Sequence, residues 1–267
     1  MKLILWLIVI LLFLVFGCGF LSRKLLYYPA PMEPGREDRL AELGPAVTPF
    51  SLEVDEKITL RGWMIQKDME NLPVLFYFGG NAEEVSWNIE PYLAGVDANV
   101  VLVNYRGYGR SGGSPKEADL KADALKIFDR VAGDYHLNPG NCGAWGRSLG
   151  SSIASHLALE RNLGRLILTC PFDSIEAVAA GFYPGPLVRA ALSDKHRTTD
   201  FSPRITAATL ILAASDDEVI PAERTRALYD SLTCPKIYTV IPDSGHNTIS
   251  EVPAYYEAVN RFLADPL

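Results

Sequence analysis

Residues 142–154 read Cys142-Gly143-Ala144-Trp145-Gly146-Arg147-Ser148-Leu149-Gly150-Ser151-Ser152-Ile153-Ala154, and they decide the fold. A short apolar run with the length of a buried strand passes through a Gly-x-Ser-x-Gly turn into small residues that suit a helix packed tightly on a sheet. The two glycines stand two residues either side of the serine, where side chains would collide in so tight a strand-to-helix turn. The turn presents the Ser148 hydroxyl at a helix N-terminus. The same spacing recurs at Gly109-Arg110-Ser111-Gly112-Gly113, but Ser114 and Pro115 follow. Such a run reads as a loop and cannot open a helix at once. Ser148, not Ser111, is the candidate nucleophile.

Outward from this stretch, apolar runs of strand length recur at Val74–Phe78, Val100–Asn104, Leu166–Cys170, Thr209–Ala213 and Ile237–Ile241. Helix-length segments separate them: Glu83–Leu93, Lys116–Ala132, Leu149–Leu159, Ala222–Leu232 and Val252–Leu263. Buried strands alternating with helices predict a mostly parallel sheet with helices on both faces. Phe50–Val54 and Ile58–Ile65 add an antiparallel hairpin in front, for about eight strands in all. Between Asp173 and Arg204 the rhythm breaks at Phe182, Tyr183, Pro184 and Pro186. That segment reads as a short cap over the sheet or as a connecting helix with irregular ends.

A serine hydroxyl is a weak nucleophile until a base takes its proton, and on a strand–turn–helix scaffold of this kind the acid and then the His follow the serine. His156 falls about two turns along the predicted helix, and His196 falls in the cap segment between Lys195 and Arg197. His246 stands in the turn-rich Pro242-Asp243-Ser244-Gly245-His246-Asn247 after the last strand, and is the candidate base. Asp217, in Asp216-Asp217-Glu218-Val219-Ile220-Pro221 after the preceding strand, is the chosen acid, with Asp216 its neighbour and Asp173 a third position in reach. A helix N-cap region also favours acids there. Two backbone donors would face a developing oxyanion: the N–H of Leu149 behind the serine, and that of Asn81 in Phe78-Gly79-Gly80-Asn81-Ala82 after the first parallel strand.

From Leu25 to the C-terminus the chain resembles the serine-nucleophile branch of the α/β-hydrolases whose members read Phe-His-Gly-Asn-Ala, then Tyr-Arg-Gly-Tyr-Gly, then Gly-x-Ser-x-Gly. Here the second motif is Tyr105-Arg106-Gly107-Tyr108-Gly109, and Pro171-Phe172-Asp173-Ser174, Asp217-Glu218-Val219-Ile220-Pro221 and Gly245-His246 follow in family order. The first motif departs: Gly79 replaces the His that usually braces the oxyanion loop. The resemblance implies hydrolysis of esters or thioesters, including lipid and acyl-protein substrates, with peptidase-like relatives nearby. A non-catalytic member binding a lipid or protein partner is the competing reading. The triad chemistry implies no metal and no cofactor.

Leu3 to Leu21 carries no charge, and roughly 19 residues at about 1.5 Å each cover the ~30 Å hydrocarbon layer of a bilayer. Residues 1–24 therefore read as an N-terminal transmembrane anchor or signal segment, 25–49 as a linker and 50–267 as the hydrolase domain. Val15-Phe16-Gly17-Cys18 resembles a lipoprotein cleavage box with Cys18 as the lipidated residue, although Phe16 fits it poorly. The side of the membrane stays open, because the amino terminus and Lys2 balance Arg23 and Lys24. A net charge of -7 without clustered Lys and Arg argues against a nucleic-acid partner. Cys142 and Cys170, at opposite ends of neighbouring strands, are expected roughly 16 Å apart, beyond the ~7 Å reach of a disulfide.

Overall fold

Side chains alternate across a strand, so a strand buried on both faces needs a helix layer on each side. In the computed structural model, which describes residues 22–265, the strands at the middle of the sheet meet this requirement, and there are eight strands in all. They are β1 (Val47–Asp55), β2 (Ile58–Ile65), β3 (Val74–Phe78), β4 (Asn99–Val103), β5 (Cys142–Arg147), β6 (Arg165–Thr169), β7 (Ala208–Ala214) and β8 (Lys236–Ile241). They form one sheet in the order β1-β2-β4-β3-β5-β6-β7-β8. β1 pairs antiparallel with β2, and β2 with β4; every later pairing is parallel.

Two cores result. Val74, Phe76 and Phe78 face the helices Glu117–Tyr135 and Gly150–Arg161, packing with Leu120, Phe128, Ile153 and Leu157. Leu75 and Tyr77 face the opposite way, toward Ile89 and Tyr92 of helix Ile89–Gly95 and toward Tyr255, Val259 and Phe262 of helix Pro253–Ala264. Trp145 stacks on Tyr92 at 4.6 Å between ring centroids. The strand bounds match expectation to within three residues at either end. The predicted helix from Glu83 instead opens with a 3-10 turn, Val85–Asn88. Pro91 explains this, since proline is tolerated only in the first turn of an α-helix and so fixes the start close before it.

The stretch expected as a linker is built into the structure. Tyr27 and Leu40 are buried, and Arg36 on the short helix Arg36–Ala41 is buried against Ser86 and Glu90. The predicted anchor, residues 3–21, and Cys18 lie outside the described residues; among those described, no helix is long and apolar enough to cross a membrane. Cys142, Cys170 and Cys234 are buried free thiols. The segment 173–204 contains two short helices, Ile175–Ala180 and Gly185–Ala191, followed by 3-10 turns.

A buried polar network ties the start of the described chain to the end of this segment. The Tyr27 hydroxyl donates to Asp194 Oδ2 at 2.8 Å and lies 3.0 Å from His196 Nε2, while His196 Nδ1 lies 3.2 Å from Ser152 Oγ. A neutral imidazole with its proton on Nε2 satisfies both contacts. Glu117 accepts the backbone N–H groups of Lys195 and His196 at 2.9 Å, and Asp194 accepts that of Glu117 at 3.0 Å. Burial disfavours the imidazolium and pushes the His196 pKa down to about 4. Protonation of the unfolded chain at an ordinary histidine value then competes with folding. Stability is expected to fall as the pH drops from about 6.5 to about 4 and to level off below, by about 3 kcal/mol from this group. Urea unfolding measured across that window should lose this pH dependence in His196→Gln; an unchanged slope would remove His196 as its source.

Candidate active site

The turn from β5 into helix Gly150–Arg161 is as tight as its sequence implies. A Cβ on Gly146 would lie 2.3 Å from the Gly150 carbonyl oxygen, and one on Gly150 would lie 2.0 Å from that of Phe78 on the neighbouring strand. No side chain fits either place. Between them Ser148 has φ of +50°, in the left-handed region that non-glycine residues rarely occupy. Its N–H donates to the Thr169 carbonyl at 2.9 Å, so the strained turn is pinned by the adjacent strand end.

The sheet then brings two distant loops to this hydroxyl. His246 Nε2 lies 3.0 Å from Ser148 Oγ, and His246 Nδ1 lies 3.0 Å and 2.9 Å from the two carboxylate oxygens of Asp217. The β7–β8 pairing makes this meeting geometric: Ala214 is opposite Ile241 in register, so both loops leave the sheet side by side. The Asp217 carboxylate also accepts the N–H groups of Val219 and Ile220, at 2.9 Å and 2.7 Å. Burial opposes its ionisation, but the hydrogen bonds from His246 and from the Ile220 and Val219 amides outweigh it, and its pKa lies below the usual carboxylate value.

The other candidates are engaged elsewhere. Asp216 accepts from Ser215 Oγ at 2.7 Å. Asp173 pairs with Arg224 at 3.0 Å. His156 sits edge-on to Phe201, and His196 belongs to the buried network above. Ser111 is a structural residue: its hydroxyl accepts the Arg61 N–H at 2.9 Å and donates to the Asn104 carbonyl at 3.0 Å.

The loop bearing Asn81 is held from three sides. The Tyr105 hydroxyl donates to the Gly79 carbonyl at 2.8 Å, and that of Tyr108 to the Asn81 carbonyl at 2.5 Å. Glu83 Oε2 accepts the Gly80 N–H at 2.9 Å. A Cβ on Gly80 would lie 3.9 Å from that of Ser148, so this loop packs directly against the serine. The N–H groups of Leu149 and Asn81 make no backbone hydrogen bond within the described residues.

Sequence reasoning missed Glu83 and Arg147. Glu83 also accepts from Tyr77 and Asn88, each at 2.6 Å, and Arg147 Nη1 donates to it at 3.0 Å. Arg147 Nη2 reaches the His246 carbonyl and Asn247 Oδ1, both at 3.1 Å. One ion pair thus links the Asn81 loop, the serine turn and the histidine loop. The Glu83 carboxylate comes so close to Gly79 that a Cβ there would lie 2.9 Å from Oε1. A side chain at position 79 would meet this carboxylate, and the Gly79 departure was the signal for it.

Cys170, Asp217 and His246 present ligand-type atoms within 4.8 Å of one another. His246 and Asp217 already satisfy each other. Burial, with the neighbouring Asp217 charge, raises the pKa of the Cys170 thiol well above the ordinary value. A metal here would have to break the His246–Asp217 contact.

A cleft of about 630 Å³ opens at Ser148 and His246 and is also lined by Leu26, Pro31, Ile175, Val178 and Ala179. No family profile matches the chain. It is 30% identical over 249 residues to the uncharacterized protein Rv2307c of Mycobacterium tuberculosis, covering 91% of this chain and 88% of that one. Rat lysophosphatidylserine lipase ABHD12 is 31% identical over 192 residues, 63% of this chain and 47% of the lipase. The chain belongs to the α/β-hydrolase superfamily. Its fold matches an α/β hydrolase from Vibrio vulnificus (TM-score 0.69, 22% identity, 92% of this chain and 94% of that one). It also matches an esterase from Pyrococcus furiosus (TM-score 0.68, 17% identity, 90% and 97%).

The Glu83–Arg147 pair is largely buried, with side chains 12% and 17% exposed. Removing one partner of such a pair strands the other charge. Glu83→Ala is expected to lower the urea unfolding free energy by about 3 kcal/mol. Glu83→Gln, which keeps an acceptor for the Gly80 N–H, should lose less. Equal losses in the two variants would deny the carboxamide oxygen that role.

Proposed function

We propose that this chain is a serine hydrolase that cleaves an ester or thioester of a lipid or acylated substrate through Ser148, His246 and Asp217. The observation that carries the reading is the unbroken chain of contacts from Asp217 through His246 to Ser148 Oγ at the floor of an apolar cleft. In this reading residues 1–24 hold the protein at a membrane, 25–49 lead to the domain, and 50–267 carry the chemistry, with 173–204 as a short cap. The lipase among the relatives and the esterase among the fold neighbours support an acyl substrate.

Ser148 Oγ attacks the substrate carbonyl while His246 Nε2 takes its proton, and Asp217 holds the Nδ1–H tautomer and stabilises the imidazolium. The N–H groups of Leu149 and Asn81 receive the oxyanion, the first aided by the helix N-terminus behind it. Collapse of the tetrahedral adduct releases the alcohol or thiol, which carries away the proton from His246. Water, deprotonated by the same base, then attacks the acyl-enzyme and frees the acid. Each step uses one base and one pair of donors.

A fluorophosphonate probe should label the full-length protein and fail to label Ser148→Ala; equal labelling would refute the nucleophile. Asp217→Asn is expected to lower kcat on a nitrophenyl ester about 10⁴-fold by losing the productive tautomer, whereas Asp216→Asn should leave kcat nearly unchanged. A large loss in Asp216→Asn with none in Asp217→Asn would move the acid. Matched ester, thioester and aminoacyl-amide substrates separate the proposed class from a peptidase-like one by their relative kcat/KM.

A further inference from the structure

In the segment 173–204, the turn between the two helices and the first turn of the second helix carry an unusual surface. Phe182, Tyr183 and Leu187 are 66%, 65% and 60% exposed within six residues of one another. Large apolar side chains scattered singly are ordinary on a protein surface, but a contiguous cluster marks something that covers it. The place where the described chain begins identifies that cover. Ser22 Oγ lies 3.1 Å from Ser193 Oγ, and Arg23 Nε donates to Asp194 at 3.1 Å. These partners come two and three residues after helix Gly185–Ala191, the helix that carries Leu187. The Tyr27–Asp194–His196 network fixes this junction from within. Ser22, which directly follows the uncharged run Leu3–Leu21 in sequence, is therefore tethered beside the same exposed helix.

The chemistry of the surroundings fits a lipid interface. Tyr and Trp favour the headgroup level of a membrane, and cations beside them favour anionic lipids. Tyr183 belongs to the cluster, and Trp87, on the rim of the cleft, is 53% exposed. Lys24 is an exposed cationic residue of the junction, and Arg189 is one of the helix, 4.0 Å from the Glu176 carboxylate. The cleft itself reaches this region, because Leu26, four residues after Ser22, lines it together with Val178 and Ala179.

We propose that the face formed by Phe182, Tyr183 and Leu187 lies in the interface of the same bilayer that holds residues 3–21, so that acyl substrate passes from the membrane into the cleft above Ser148. The proposal rests on the anchor reading given under Proposed function. It adds a second, peripheral contact and a route for the substrate.

The test uses the full chain reconstituted in phosphatidylcholine–phosphatidylglycerol vesicles, with a nitroxide label at Leu187→Cys in a Cys18→Ser background. Cys142, Cys170 and Cys234 are buried and do not compete for the reagent. A second label at Glu70→Cys, before the opposite end of β3, reports bulk water. The label at 187 should collide several-fold more often with oxygen than with a water-soluble nickel chelate, and the label at 70 should show the reverse. In parallel, the triple variant Phe182→Asp, Tyr183→Asp, Leu187→Asp should hydrolyse a soluble short-chain nitrophenyl ester as wild type does. It should turn over a long-chain ester embedded in vesicles at least tenfold more slowly. A water-exposed label at 187 on protein that sediments with vesicles overturns the docking face and leaves the anchor standing. Protein that does not sediment overturns both. A label shielded from both relaxants means that a second copy of the chain covers the face, and also overturns the proposal. Equal turnover of embedded ester by variant and wild type overturns the substrate route.

Discussion

The site depends on two places where backbone meets backbone with no room for a side chain. At Gly146 and Gly150 the chain leaves β5 and enters its helix so sharply that any Cβ would overlap a carbonyl group. This crowding holds the backbone of Ser148 in a left-handed conformation, and the strain persists only because the surrounding sheet over-determines it. Everything else at the site is arranged around that fixed point. The histidine loop follows β8, the acid loop follows β7, and the Asn81 loop follows β3, all at the carboxyl ends of parallel strands. Ligands of open α/β sheets bind at such ends for the same geometric reason.

A second constraint is electrostatic. Arg147, the residue directly before the serine, extends its guanidinium between the Asn81 loop and the histidine loop, and Glu83 balances it. The loops that must converge are therefore joined by charge-assisted hydrogen bonds in a partly buried place, where such bonds are stronger than on an exposed surface. Tyr105 and Tyr108 complete the frame by holding two carbonyl groups of the Asn81 loop. This explains the loop that carries the second Gly-x-Ser-x-Gly: it presents two tyrosines, and its own serine only stitches β2 to the end of β4.

Much of this was legible in the sequence because the signals were local. Strand-length apolar runs and their spacing gave the parallel sheet, and the residues after Ser111 and Ser148 separated loop from helix. Chain order pointed to His246 and Asp217. What was hidden depends on side chains meeting across long separations. Glu83 and Arg147 stand 64 positions apart, and no periodicity connects them. Tyr27, Asp194 and His196 are likewise joined only in three dimensions, so residues 25–49 read as a linker although Tyr27 and Leu40 are buried. Single polar residues in Pro- and Gly-rich stretches carry no pattern that distinguishes a buried network from a solvated loop.

The spacing of the three central residues has a consequence for when the protein becomes competent. Ser148 and His246 are 98 positions apart, and β8, which leads to His246, is the last strand in the chain and an edge of the sheet. During synthesis the serine turn can form while the imidazole is still unmade, so a growing or C-terminally shortened chain would carry a strained serine without a base. In the mechanism proposed above, competence arrives only when the final strand docks, which keeps an incomplete polypeptide from attacking acyl groups around it.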